Sequence, residues 1–77
     1  MRALSAKSLS GKTARVLTFV PAEWTDELTV RHNIRDVTGF NALSIGQCLK
    51  WLITIGVIER RGQRGPGSQV RRTPEAA

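Results

Sequence analysis

Apolar positions recur at helical spacing before and after a short break in the middle of the chain. Val30, Ile34 and Val37 stand at i, i+4 and i+7, and a longer apolar series begins at Ala42. In that series Ile45, Cys48, Leu49, Leu52, Ile53 and Ile55 fall within one broad sector of a wheel turning about 100° per residue, with Ala42 at its margin. These seven are the expected buried side of a helix over 42–55, closed by Gly56. The opposite side carries Leu43, Ser44, Gly46, Gln47, Lys50, Trp51 and Thr54, small and polar except for Leu43 and Trp51. Between the two patterns stands Thr38-Gly39-Phe40-Asn41. Gly39 tolerates a left-handed conformation, Phe40 can plug the corner, and Asn41 can accept a hydrogen bond from the unpaired amides of the next helix. The stretch predicts a helix, a tight turn and a second helix.

The flanks complete the order of elements. Residues 1–9 are basic and weakly apolar and are expected to fray as a flexible N-terminal segment. Ser10 is the expected cap of a first helix whose inward set is Ala14, Val16, Leu17 and Val20, with Phe19 beside it and Pro21 at its end. Residues 22–26 read as a connector in which Trp24 covers the small core. Residues 27–30 read as a short extended segment, with Thr29 as the N-cap of the next helix. That helix is expected to turn Val30, Ile34 and Val37 inward and Arg31, Arg35 and Asp36 outward, leaving His32 as a surface histidine. After Gly56, residues 57–61 read as a strand and 69–73 as its antiparallel mate, with Ile58 and Val70 paired toward the core. Three glycines and a proline make residues 62–68 an open loop, and 74–77 a frayed end follows. The pattern gives one folded unit over 10–73, mainly α with a small β-hairpin.

Composition narrows the function classes. Seventy-seven residues make one domain at most, near the size at which a single core is just sufficient. The chain has no apolar run of 18 residues and no signal-peptide pattern, so a cytoplasmic protein without a membrane span is expected. One cysteine gives no internal disulfide, and with one histidine it makes no metal site. Cys48 falls in the apolar sector and His32 in a different helix, so no nucleophile and base are brought together. The expectation is a protein that is not an enzyme, with no cofactor and no small-molecule substrate.

Charge is segregated along the chain. Residues 1–15 hold Arg2, Lys7, Lys12 and Arg15 without an acid, and residues 60–72 hold Arg60, Arg61, Arg64, Arg71 and Arg72 without one. Residues 16–59 carry five acids against three bases, so the net charge of +6 sits at the two ends around a slightly acidic body. A polyanion is the simplest partner for such a distribution, nucleic acid first and an anionic membrane surface second.

The residues that specify a family resemblance are Leu28-Thr29-Val30, Ile34-Arg35-Asp36-Val37-Thr38-Gly39-Phe40-Asn41, Ile45, Leu49-Lys50, Leu52, Gly56-Val57-Ile58-Glu59-Arg60-Arg61-Gly62 and Val70-Arg71. Over about residues 12–73 the chain resembles the winged helix-turn-helix domains of small prokaryotic and phage transcriptional regulators. The resemblance implies a three-helix core plus a β wing. It also implies a double-stranded DNA partner, entered through its major groove by a recognition helix at 42–55 and touched by an arginine-rich wing at 57–73. Carried over by position, Asn41, Ala42, Leu43, Ser44, Gly46, Gln47 and Lys50 face the duplex. Gln47 and Ser44 can reach base edges, and Lys50 and Asn41 suit phosphates. Arg60, Arg61, Arg64, Arg71 and Arg72 would supply most of the attraction. No arginine stands on the reading helix, so weak sequence specificity is expected. Binding DNA would make the protein nucleoid-associated, as a regulator of transcription. The alternative is an interaction module, with Leu43 and Trp51 anchoring a protein partner or a homodimer.

Overall fold

The turn at Gly39 organises the structure. In the computed structural model, which describes residues 11–62 and 67–74, Gly39 adopts φ 77° and its amide donates to the Arg35 carbonyl at 2.9 Å. Thr38 Oγ1 donates to the Ile34 carbonyl at 2.6 Å and accepts from the Phe40 amide at 3.1 Å. Asn41 Oδ1 then accepts from the Ser44 amide at 2.8 Å, capping the following helix. The expected roles of Gly39 and Asn41 are those observed, and Phe40 packs half-buried against the core.

The elements run α1 (Gly11–Leu17), β1 (Thr25–Asp26), α2 (Glu27–Thr38), α3 (Ala42–Thr54), β2 (Ile58–Arg61) and β3 (Gln69–Arg72). The fold is therefore mixed α/β: three helices and a three-stranded antiparallel sheet in the order β1-β3-β2. The sequence pattern led to a hairpin alone, because a two-residue strand such as β1 is too short to show alternation.

Helix α1 packs on α3, α2 on α3, and α3 on β2. Their common core is aliphatic: Val16 and Val20, Val30 and Ile34, Ile45, Leu49 and Leu52, then Ile58 and Val70 across the sheet. Cys48 belongs to it as a small apolar side chain whose sulfur accepts from Thr13 Oγ1 at 3.6 Å. Of the expected α3 set, Ile45, Cys48, Leu49 and Leu52 are buried and Ile53 and Ile55 pack at the rim, whereas Ala42 is exposed. Helix α3 ends at Thr54 with Ile55 as its cap, and Gly56 at φ 84° closes it. There the Gly56 amide donates to the Ile53 carbonyl and the Val57 amide to the Leu52 carbonyl, each at 3.1 Å, the paired closing bonds of a Schellman motif.

Four expectations are corrected. The N-cap of α2 is Asp26, whose Oδ2 accepts from the Thr29 amide at 3.1 Å, so Thr29 lies inside the first turn and the extended pair is Thr25–Asp26. Val37, expected inward, is 63% exposed: the buried sector of α2 is centred on Glu27, Val30 and Ile34, and Val37 falls at its edge in the last turn. Ile58 and Val70 are both buried but not partners: Ile58 pairs with Arg72, and Val70 with Arg60 and Thr25. The long loop sets that register, two residues away from the expected one. Trp24, expected over the core, instead lies with the guanidiniums of Arg61 and Arg71 above its ring, at 4.4 and 4.6 Å.

Ser10, residues 1–9, Arg64 and residues 75–77 lie outside the described residues. Among the described residues no helix is long and apolar enough to cross a membrane.

Candidate nucleic-acid interface

Strand alternation distributes the arginines of the hairpin. Directly opposed residues in an antiparallel pair share a face, so Ile58, Arg60, Val70 and Arg72 face one way and Glu59, Arg61, Gln69 and Arg71 the other. On the first face Arg72 turns inward, its Nε donating to the Val20 carbonyl at 2.8 Å and Nη2 to the Leu17 carbonyl at 3.1 Å. On the second, Arg71 is paired with Glu59, and Arg61 Nε donates to Gln69 Oε1 at 2.7 Å. Each of the four described hairpin arginines thus has a partner within the fold.

Arg60 has the most constrained of these arrangements. Its Nε donates to Glu27 Oε1 at 2.8 Å and its Nη2 to Glu27 Oε2 at 3.0 Å. The same carboxylate accepts from Arg31 Nε at 3.1 Å and from Ser68 Oγ at 2.9 Å, and lies 3.0 Å from Arg31 Nη2. Glu27 is only 5% exposed. Burial alone would raise its pKa, but the hydrogen bonds from Arg60, Ser68 and Arg31, together with the charge of Arg60, outweigh it and hold the carboxyl below the ordinary glutamate value. One buried carboxylate therefore joins α2 to β2 and to Ser68, the residue that leads into β3, and the Glu27 amide adds a bond to the Ser68 carbonyl at 2.9 Å.

Beside this cluster lies an open groove of about 350 Å³. Helix α3 provides one wall through Ala42, Leu43, Gly46, Gln47 and Lys50; Arg31 of α2 and Arg60 of β2 provide the other. The exposed side of α3 and one hairpin arginine thus meet on the same side of the molecule. Gln47 and Lys50 are exposed to solvent there, and Leu43 is 71% exposed.

At the N-terminal end of α3, Asn41 caps the helix and Lys12 of α1 approaches Ser44, its Nζ 3.5 Å from Oγ and 5.0 Å from the centre of the Phe40 ring. Lys12 and Arg31 are not among the residues that the resemblance places on the duplex. Both come from other helices and approach α3 only in three dimensions, so no linear spacing marks them. Trp51, 47% exposed, is farther along α3 and does not line the groove. His32 is exposed and its Nε2 lies 3.6 Å from Asp36 Oδ2, one helical turn away.

In comparisons with known proteins the chain matches no family model, no curated protein and no solved structure.

Proposed function

We propose that the protein is a winged helix-turn-helix module that binds double-stranded DNA, with α3 in the major groove and the β2–β3 hairpin as a wing along the backbone. The observation that carries this reading is the groove shared by Gln47 and Lys50 of α3 with Arg60 of β2. Side chains able to meet base edges stand there beside cations able to meet phosphates. Gln47 is the residue proposed to reach a base, by its amide, and Ser44 the second. Lys12, Lys50, Arg60 and Arg61 are the proposed phosphate contacts among the described residues. With no arginine on α3, discrimination between sequences is modest, and the protein acts as a regulator of transcription by occupancy.

The test is a titration of random-sequence duplex DNA at several salt concentrations, with wild type compared to Gln47→Ala and Lys50→Ala. If about 4–6 phosphates are neutralised, log affinity falls against log salt with a slope of roughly −4 to −5. Lys50→Ala lowers the slope by about one, and Gln47→Ala leaves it unchanged. An affinity insensitive to salt would rule the reading out.

A second reading rests on Leu43 and Trp51, two large apolar side chains left in solvent on α3. They suit a protein partner or a second copy of the chain. In that case Leu43→Ala or Trp51→Ala abolishes function while Lys50→Ala does little.

A further inference from the structure

Arg31 stands in the groove although it belongs to α2, the helix that is not proposed to enter DNA. Its Nε and Nη2 edge is held by Glu27, and Arg60 presents the same edge to the same carboxylate. The Nη1 nitrogen of each guanidinium makes no hydrogen bond among the described residues. The triad carries two positive charges and one negative, and Lys50 adds another positive charge on the facing wall. Two guanidiniums drawn to one buried carboxylate repel each other, and one further monoanion would neutralise the triad.

We propose that Arg31 and Arg60 form a binding subsite for one phosphodiester of the DNA backbone, with Glu27 as the residue that positions both guanidiniums. The proposal rests on the DNA-binding reading and adds to it a contact from outside the recognition helix and the wing. A phosphodiester fits because it carries a single negative charge and offers two unesterified oxygens to guanidinium N–H donors. Anchoring both arginines beforehand means that little side-chain freedom is lost on binding. Gly46 lies directly under Arg31: a Cβ there would stand 3.4 Å from its Nη1, in van der Waals contact, so a methyl group at this position would partly cover that nitrogen.

The experiment uses the full chain, ¹⁵N-labelled, with the side-chain N–H resonances of Arg31 and Arg60 followed by NMR. It is titrated with a 12-base-pair random-sequence duplex and, separately, with a decapeptide of glutamates. Affinity and salt slope for the duplex are measured for wild type, Arg31→Ala, Arg31→Lys and Gly46→Ala. The expected result is that the duplex shifts both arginine resonances and the peptide does not. Arg31→Ala should lose about tenfold in affinity at ~0.1 M salt and about one unit of slope. Arg31→Lys should keep the slope but lose part of the affinity, because a lysine lacks the planar fork. Gly46→Ala supplies the control for folding: alanine in a helix interior should raise the melting temperature, yet duplex affinity should fall about threefold or more. Duplex binding by wild type with unmoved arginine resonances, and an unchanged slope in Arg31→Ala, would overturn the subsite alone. No binding of duplex by wild type would overturn it together with the DNA reading, and peptide-induced shifts without duplex-induced ones would assign the groove to an acidic protein.

Discussion

Arg72 reaches back across the chain to Val20, its Nε 2.8 Å from the carbonyl oxygen, while its Nη2 bonds the Leu17 carbonyl. A side chain that belongs by sequence to a basic cluster is here a tie between the last strand and the turn that leaves α1. The Arg72 amide also donates to the Pro21 carbonyl at 2.8 Å, so backbone and side chain hold the same junction. The charge of Arg72 is directed at the fold before it is directed at any partner.

Arg72→Ala should therefore destabilise the protein by about 2 kcal/mol, since it removes hydrogen bonds from a charged donor to two carbonyls. Arg72→Lys should recover only part of that loss, because one ammonium does not reproduce the spacing of the fork. Urea denaturation monitored by far-ultraviolet circular dichroism measures both. Wild-type midpoints in both variants would show that the tie contributes nothing in solution.

Glu27 gives a pH dependence whose sign follows from its depressed pKa. A carboxyl lowered in the folded state contributes stability that is complete above its unfolded value, about 4.3, and is lost as pH falls through its folded value. Stability should thus decline in the acid limb below about pH 5, and the Glu27→Gln variant should lack that component. At neutral pH the same substitution should cost about 3 kcal/mol, because it leaves Arg31 and Arg60 without their shared counter-charge. The Glu27 carboxyl carbon, followed by NMR, should titrate below the ordinary glutamate range. Titration at or above that range would mean the cluster does not hold together.

Asn41 caps α3, and its replacement by alanine should cost about 1 kcal/mol. Asn41→Asp and Asn41→Ser retain an acceptor for the Ser44 amide and should stay within a few tenths of wild type. Thermal melts of the three variants test this. An Asn41→Ala protein as stable as wild type would imply that water replaces the cap at no cost.

The two tryptophans should differ in spectroscopy. Trp24 has guanidiniums over its ring, whereas Trp51 is 47% exposed on α3. In single-tryptophan variants, Trp24→Phe and Trp51→Phe, the remaining Trp51 should be quenched by acrylamide more strongly than the remaining Trp24. Addition of duplex DNA should alter these signals unequally, and equal quenching in the free protein would contradict the stacked arrangement.

The turn and the buried face of α3 were legible because their information is local. Gly39, Asn41 and Gly56 act on neighbours within four residues, and Ile45, Leu49 and Leu52 follow one period. The sheet was less legible, since β1 has two residues and its pairing with β3 spans more than forty positions. The hairpin arginines illustrate the same limit: alternation along a strand separates Arg60 and Arg72 from Arg61 and Arg71, but only their partners reveal what each does. Arg31 looked like solvated surface, and Glu27 looked like part of an extended segment. Their meeting with Arg60 depends on how the first turn of α2 is placed relative to the sheet, which no spacing records.

The middle strand of the sheet is also the last of the described strands in sequence order, β3 lying between β1 and β2. During synthesis α1, α2 and α3 can be complete while Val70 is still missing from their apolar centre, and β1 has no neighbour until residue 69 arrives. Closure of the sheet thus waits until residues 69–72 have been made and joins segments far apart along the polypeptide, which makes it the expected slow event of folding. A nascent polypeptide stalled before Gln69 would leave the aliphatic face of those helices open to chaperones and proteases.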